Sequence, residues 1–224
     1  MIPSPSRSTG AARIDGGFTA IRALVATPAP GGVVSGPVEH PILNRGVPPD
    51  DFLQLLVAFG AVGAVEIFAP NPLDDIYGKV MDALGPFDNG DAGFIQRRAV
   101  MLEVLRVLGG LESSWNWLEG ADPDGENESD PYCQETGIYQ VSANSMRFDS
   151  SLNQCLLDYC GPQAGVQDFI SQMKVQRVFA VEYCARLLRF DTEWDGPIDR
   201  GVLQQWVSRD AVAEFVTLIA AYKP

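Results

Sequence analysis

Apolar positions recur along this chain mostly with the 3.6-residue period of helices. From Met1 to about residue 48, large apolar residues are few, Pro, Gly, Ser and Ala dominate, and no period of 3.6 or 2 appears, which predicts an irregular N-terminal segment over 1–48. The helical pattern starts after Pro48-Pro49, with Asp50 and Asp51 where the first turn of a helix favours acids. The longest apolar run, Phe52 to Ala69, is interrupted by Gln54 and Glu66 and contains Gly60 and Gly63, so it predicts a buried core helix rather than a membrane span. A short helix follows from about Pro72 to Leu84, stopped by Gly85-Pro86. The strongest helix runs from Phe94 to Glu112, where Met101, Leu105, Leu108 and Glu112 fall on one face.

Downstream, the stretch Gly137-Ile138-Tyr139-Gln140-Val141-Ser142 predicts a short strand or hairpin arm. A long helix is expected from about Gln163 to Phe190, its core face marked by Val166, Phe169, Ile170, Met173, Ala180, Cys184 and Leu187. Helical stretches near Ile198 to Ser208 and Asp210 to Tyr222 complete a single domain over 49–224 of mainly α class (α+β), with no internal repeat.

Composition narrows the partners. With 224 residues, 46% of them hydrophobic, the chain can bury one sizeable core. The 29 acidic residues against 16 basic ones leave a formal charge of -13, which repels nucleic acid and anionic lipid and suits a cationic substrate, a calcium ion or a basic partner. The start Met1-Ile2-Pro3-Ser4-Pro5 lacks the basic end and apolar segment of a secretory signal peptide, so export by the general route is not expected. Cys133, Cys155, Cys160 and Cys184 form no Cys-x-x-Cys pair, and His40 is the only histidine, which argues against structural zinc. Their state is open between buried thiols and one or two disulfides, Cys155 with Cys160 across a helix end being one such pair. Cys133 has no histidine near it in sequence to activate it as a nucleophile.

The chemistry concentrates in Leu108-Gly109-Gly110-Leu111-Glu112-Ser113-Ser114-Trp115-Asn116-Trp117, where a carboxylate ends an apolar helix and two tryptophans follow. A carboxyl set against apolar groups keeps its proton to higher pH, as a general acid near neutrality must. Protonating a glycosidic oxygen is a common use of such an acid, and tryptophans stack on sugar rings. The plain alternative is a helix end whose glutamate points into solvent.

An apolar helix ending in Glu112-Ser113, then a loop, then Gly137-Ile138-Tyr139-Gln140-Val141 resembles the catalytic core of the goose-type lysozyme and soluble lytic transglycosylase superfamily. The resemblance covers roughly residues 94 to 145. It implies a lysozyme-like fold, a helical lobe with a small β-hairpin flanking a cleft, acting on the β-1,4 bond between N-acetylmuramic acid and N-acetylglucosamine in peptidoglycan. It also implies Glu112 as the catalytic acid, Ser113 orienting it, Tyr139, Gln140, Ser142 and Asn144 holding sugars, and Trp115 or Trp117 stacking on them. The form of both motifs is similar to that of bacterial muramidase effectors delivered by the type VI secretion system. That likeness implies action on the wall in the periplasm after specialised delivery, and a dedicated immunity protein as partner.

Departures from the family also appear. The loop after Glu112 is longer and more acidic, and the later Ala-Tyr-Asn motif is missing, with Tyr183 a loose stand-in. Transglycosylation to an anhydro end needs one carboxylic acid, whereas inverting hydrolysis needs a second carboxylate holding water. Glu119, Asp122, Asp124, Glu126, Glu128, Asp130 and Glu135 are all candidates, and Glu135 is preferred because it adjoins the predicted strand. No cofactor is required by this chemistry. Asp122, Asp124 and Glu126 place oxygens at alternate positions, which leaves a calcium site open, though the EF-hand glycine and twelfth-position glutamate are absent. Two other readings stand beside the muramidase: a chitosanase or chitinase of the same fold, favoured by the negative charge, and a catalytically silent wall-binding module.

Overall fold

The computed structural model describes residues 42, 44–70, 75–86, 91–121, 130–190 and 196–223. Among them are eight α-helices: α1 (Asp50–Val62), α2 (Val65–Phe68), α3 (Ile76–Leu84), α4 (Asp91–Ser113), α5 (Ser150–Cys160), α6 (Val166–Val175), α7 (Arg177–Phe190) and α8 (Arg209–Ala221). Short 3-10 turns stand at Ala143–Arg147 and Leu203–Gln205. The protein is mainly helical. No helix among the described residues is long and apolar enough to cross a membrane.

Helix α4 forms the axis. Residues 98–110 are buried without interruption, and α8, α1, α2, α3 and α7 pack around them. A helix covered on every side must be apolar all round, and this stretch is, apart from Arg98, Glu103 and Arg106. Each of those finds partners. Arg106 donates to both Glu103 oxygens at 2.7 and 2.8 Å, and Glu103 also accepts the Ser208 N–H at the start of α8, at 2.7 Å. The guanidinium of Arg98 takes the Gly60 and Gly63 carbonyls that the end of α1 leaves open.

Several expected elements change shape. The apolar run expected as one helix over Phe52–Ala69 is two, because α1 closes with the Gly63 N–H on the Phe59 oxygen at 2.7 Å and the chain restarts at Val65. The expected Gln163–Phe190 helix breaks at Gln176, which leaves the helical region with ψ 84. No Gly or Pro marks that break. It re-aims the chain, so that Phe169 and Met173 on α6 and Val178, Phe179 and Tyr183 on α7 all reach one aromatic core. Between Ile198 and Ser208 there are turns and one 3-10 turn in place of a regular helix. Helix α5, which no apolar stripe announced, is capped by Asp149, whose carboxylate accepts the Ser151 N–H at 2.7 Å.

All four cysteines are free thiols. Cys155 and Cys160 lie five residues apart on one helix, on different faces at about 100° per residue, so they do not form the expected pair. Packing of the domain also starts before residue 49, since Ile42 is buried against α4.

Candidate active site

The C-terminal end of α4 is built so that one carboxylate opens onto a cleft. Ser114 and Trp115 both adopt positive φ (54 and 60), which stops the helix and folds the indole of Trp115 back over its last turns. There the Trp115 Nε1–H donates to the Arg106 carbonyl at 2.9 Å. Gly110 provides the seat: a Cβ there would stand 2.6 Å from Trp115 Cζ2 and 2.5 Å from Ile42 Cδ1. Trp115 is therefore a core residue and not the sugar platform expected of it. Trp117 is buried as well, edge-on to Phe52 with the Arg177 guanidinium over its ring.

Ser113 ties the helix end to the Gly-x-x-Gln segment. Its hydroxyl donates to the Ile138 carbonyl at 2.8 Å, lies 3.2 Å from the Gly109 carbonyl, and accepts the Asn116 N–H at 3.1 Å. Buried behind the cleft wall, it holds the backbone and has no free face for a sugar.

The expected hairpin arm is a tight turn closed by one antiparallel bridge between Thr136 and Val141, the Val141 N–H donating to Thr136 O at 3.3 Å. Gly137 has φ +72, and a Cβ on it would lie 2.6 Å from the Met173 backbone oxygen, so only glycine lets the turn sit this close to α6. Gln140, also at positive φ, donates its Nε2–H to the Gly137 carbonyl at 2.8 Å, which locks the turn from inside.

These elements border a cleft of about 780 Å³, within the range that holds small ligands. Leu108, Leu111 and Glu112 of α4 form its floor, with Cys184, Leu187 and Leu188 of α7 beside them. One wall carries Glu135, Tyr139, Gln140, Ser142 and Asn144; the other is the segment from Gly196 to Val202. The sequence-predicted residues Glu112, Glu135, Tyr139, Gln140, Ser142 and Asn144 are thus brought together, whereas Ser113 and Trp115 stand behind them. Ser142 Oγ donates to Asn144 Oδ1 at 2.6 Å, so those two polar groups are paired in advance. Tyr139 is buried, and its hydroxyl has no hydrogen-bond partner among the described residues. Tyr183 lies behind the wall, sharing a hydrogen bond of 2.8 Å with Ser145.

Glu112 is half-buried and makes no hydrogen bond or ion pair among the described residues. Burial pushes its carboxyl up to about 7, and the charge of Glu135 adds to that; Arg200 and Arg45 pull the other way. An added Cβ at Gly196 would lie 3.8 Å from Glu112 Oε1, so the backbone of the opposite wall passes directly over the acid. Cys184 also lies by the acid, its thiol raised by burial and by the Glu112 charge, which makes it a poor nucleophile.

Of the other acids weighed for the second carboxylate, Glu119 accepts from the Asn116 side chain at 2.8 Å and Asp130 accepts the Tyr132 N–H at 2.9 Å, both away from the cleft lining. Asp122, Asp124, Glu126 and Glu128 lie outside the described residues, and with them the tentative calcium loop. Among the described residues no group of three or more His, Cys, Asp or Glu could hold a metal ion.

Among the lining residues that carried no signal in the sequence are Arg45, Phe148 and Arg200, all exposed at the cleft. Arg45 belongs to the segment expected to be irregular, and Arg200 to one expected to be plain helix. Phe148 stands just before the Asp149 cap of α5, and that cap was the one local hint that a loop ends there.

No protein-family model matches the chain, and no curated protein or solved structure matches it either. Function must be read from the cleft itself.

Proposed function

We propose that this chain cleaves peptidoglycan glycan strands at the β-1,4 bond after N-acetylmuramic acid, as a muramidase or lytic transglycosylase of lysozyme-like fold. One observation carries the reading. Glu112 is an unpartnered carboxyl at the floor of an open cleft, held protonated to about 7. A group in that state donates a proton to a departing glycosidic oxygen at neutral pH.

In this reading the turn from Thr136 to Val141 takes the place of the hairpin that flanks a lysozyme cleft. Gln140, Ser142 and Asn144 offer hydrogen bonds to sugar hydroxyl and acetamido groups, and the exposed ring of Phe148 replaces the buried tryptophans as the stacking surface. Glu135 serves as the second carboxylate, either holding water or steadying positive charge on the sugar ring. A catalytically silent module is disfavoured because Glu112 opens into the cleft rather than away from it. Delivery to the periplasm as an interbacterial toxin, and a cognate immunity protein plugging the cleft, complete the proposal.

The test is digestion of purified peptidoglycan by the wild type and by Glu112→Gln, with products read by mass spectrometry. The wild type is expected to release muropeptides, and the variant to lose activity by about 10²–10⁴-fold. Reducing ends mean hydrolysis, and 1,6-anhydro ends mean transglycosylation. Equal release by both proteins removes Glu112 from the role of acid.

A further inference from the structure

Many arginines of this domain are committed to core or ion-pair partners, and two that line the cleft are not. Arg106 and Arg186 pair with Glu103 and Glu182 inside the core, Arg189 pairs with Asp75, Arg98 holds carbonyls of α1, and Arg177 pairs with Asp51. The Arg45 side chain has no hydrogen bond or ion pair among the described residues, its backbone N–H alone donating to the Ile42 carbonyl at 2.9 Å. The Arg200 side chain donates only its Nε–H, to the Gly196 carbonyl at 3.1 Å, which leaves both terminal nitrogens without a partner among the described residues. Both side chains are exposed, both line the cleft, and both act on the charge of Glu112. Asp199, the chain neighbour of Arg200, neither pairs with it nor lines the cleft.

The local charge therefore opposes that of the whole molecule. The chain carries a formal -13, yet among the described residues the acids lining the cleft are Glu112 and Glu135. While Glu112 keeps its proton, the two guanidinium groups outnumber the anions among those described lining residues even with Glu135 ionised. A long acidic surface with a cationic cleft is a selective arrangement, because the field repels polyanions at large while the cleft accepts one carrying carboxylates at fixed spacing. Guanidinium binds carboxylate through two parallel charge-assisted hydrogen bonds, stronger than those it makes with neutral sugar hydroxyls.

Resting on the peptidoglycan reading above, we infer that Arg45 and Arg200 are specificity-determining residues that bind carboxylates branching from the glycan backbone. Such carboxylates come from the lactyl ether of the muramyl sugar or from the peptide attached to it. A cationic polymer such as chitosan is rejected by the same pair, despite the overall negative charge that would attract it.

The test is calorimetric binding to the full chain carrying Glu112→Gln, with three probes of equal sugar length. These are a neutral chitooligosaccharide, a peptide-free glycan bearing lactyl carboxylates, and the same glycan with its stem peptides. A carboxylate-bearing glycan is expected to bind about tenfold tighter than the chitooligosaccharide. Adding Arg45→Ala and Arg200→Ala should erase that preference with the thermal midpoint unchanged, and Arg→Lys should retain part of it. A preference already present with the peptide-free glycan assigns the lactyl group; one that needs the peptide assigns the stem. Equal affinity for all probes, no binding to any, or a preference that survives both Arg→Ala changes overturns the inference. Turnover separates it from the parent reading. If the protein with Arg45→Ala and Arg200→Ala and Glu112 intact degrades peptidoglycan at the wild-type kcat/KM, the inference fails and the muramidase stands. If the wild type cleaves nothing while the arginine-dependent preference remains, the muramidase fails and the binding site stands.

Discussion

Two glutamates nine residues apart on α4 receive opposite treatment. Glu103 is fully buried and is answered on every side, by the fork of Arg106 and by the Ser208 N–H. Glu112 is less buried but has no hydrogen-bond or ion-pair partner among the described residues, with Leu108 and Leu111 beside it and another carboxylate in the cleft lining. The first arrangement satisfies a charge so that a helix can run through the core, and joins α4 to the start of α8 in doing so. The second withholds a partner, so the proton itself becomes the stabilising companion. The contrast motivates the proposed role of Glu112, the acid left unpaired among the described residues.

The strongest way to break that comparison is to treat both acids alike. Glu103→Gln leaves the Arg106 charge buried without its partner, and should lower stability by about 3–5 kcal/mol in denaturant melts. The same change at Glu112 should leave the melt at neutral pH unaltered or improved, because it removes a carboxyl whose ionisation the fold resists. Equal losses at the two sites would end the distinction between a structural and a functional glutamate.

A second effect is in pH. Glu112 sits at about 7 in the folded protein against an ordinary 4.5, so the stability it contributes is fully present below about 4.5 and is lost as pH rises towards 7. Glu112→Gln should flatten the midpoint-versus-pH curve across that window. For the same reason activity should fall as pH rises through about 7, since the acid must hold its proton. Glu135→Gln should move that alkaline limb to lower pH, and Arg200→Ala should move it to higher pH, in initial rates on soluble glycan strands. A limb that ignores both changes would mean that another group titrates.

The smallest effect expected is that of Ser113→Ala. It removes the hydroxyl that joins α4 to the Ile138 carbonyl, and should cost about 1–2 kcal/mol of stability. Because Ser113 does not border the cleft, the affinity of Glu112→Gln for glycan should change less than with Arg200→Ala, as measured by the same calorimetry.

What could be read in advance was local. The stripe Met101, Leu105, Leu108 marks α4 because helical period and burial agree there, and it delivers Glu112 to the cleft. Gly137 and Gln140 were picked out through the resemblance to a family motif, while the positive φ of both, in a turn where a strand or hairpin arm was expected, was not legible. Nor was the burial of Trp115, because its direction depends on two consecutive positive-φ residues and on the groove left by Gly110, a fact of packing rather than of residue type. The break at Gln176 was hidden for a similar reason: no residue there forbids a helix, and tertiary contacts of Phe169 and Phe179 decide it. Arg45 and Arg200 are joined only by the fold, 155 positions apart, so no local pattern could pair them.

The contact of Gly137 with α6 has a genetic consequence. At Gly60, an added methyl would meet the side-chain ends of Leu102 and Ile219, which a second mutation could shorten to make room. At Gly137 the obstacle is the main-chain oxygen of Met173, which every residue type at 173 would present alike. Replacements at Gly60 should therefore yield suppressors among their neighbours, while Gly137 leaves a suppressor screen no neighbouring side chain to trim.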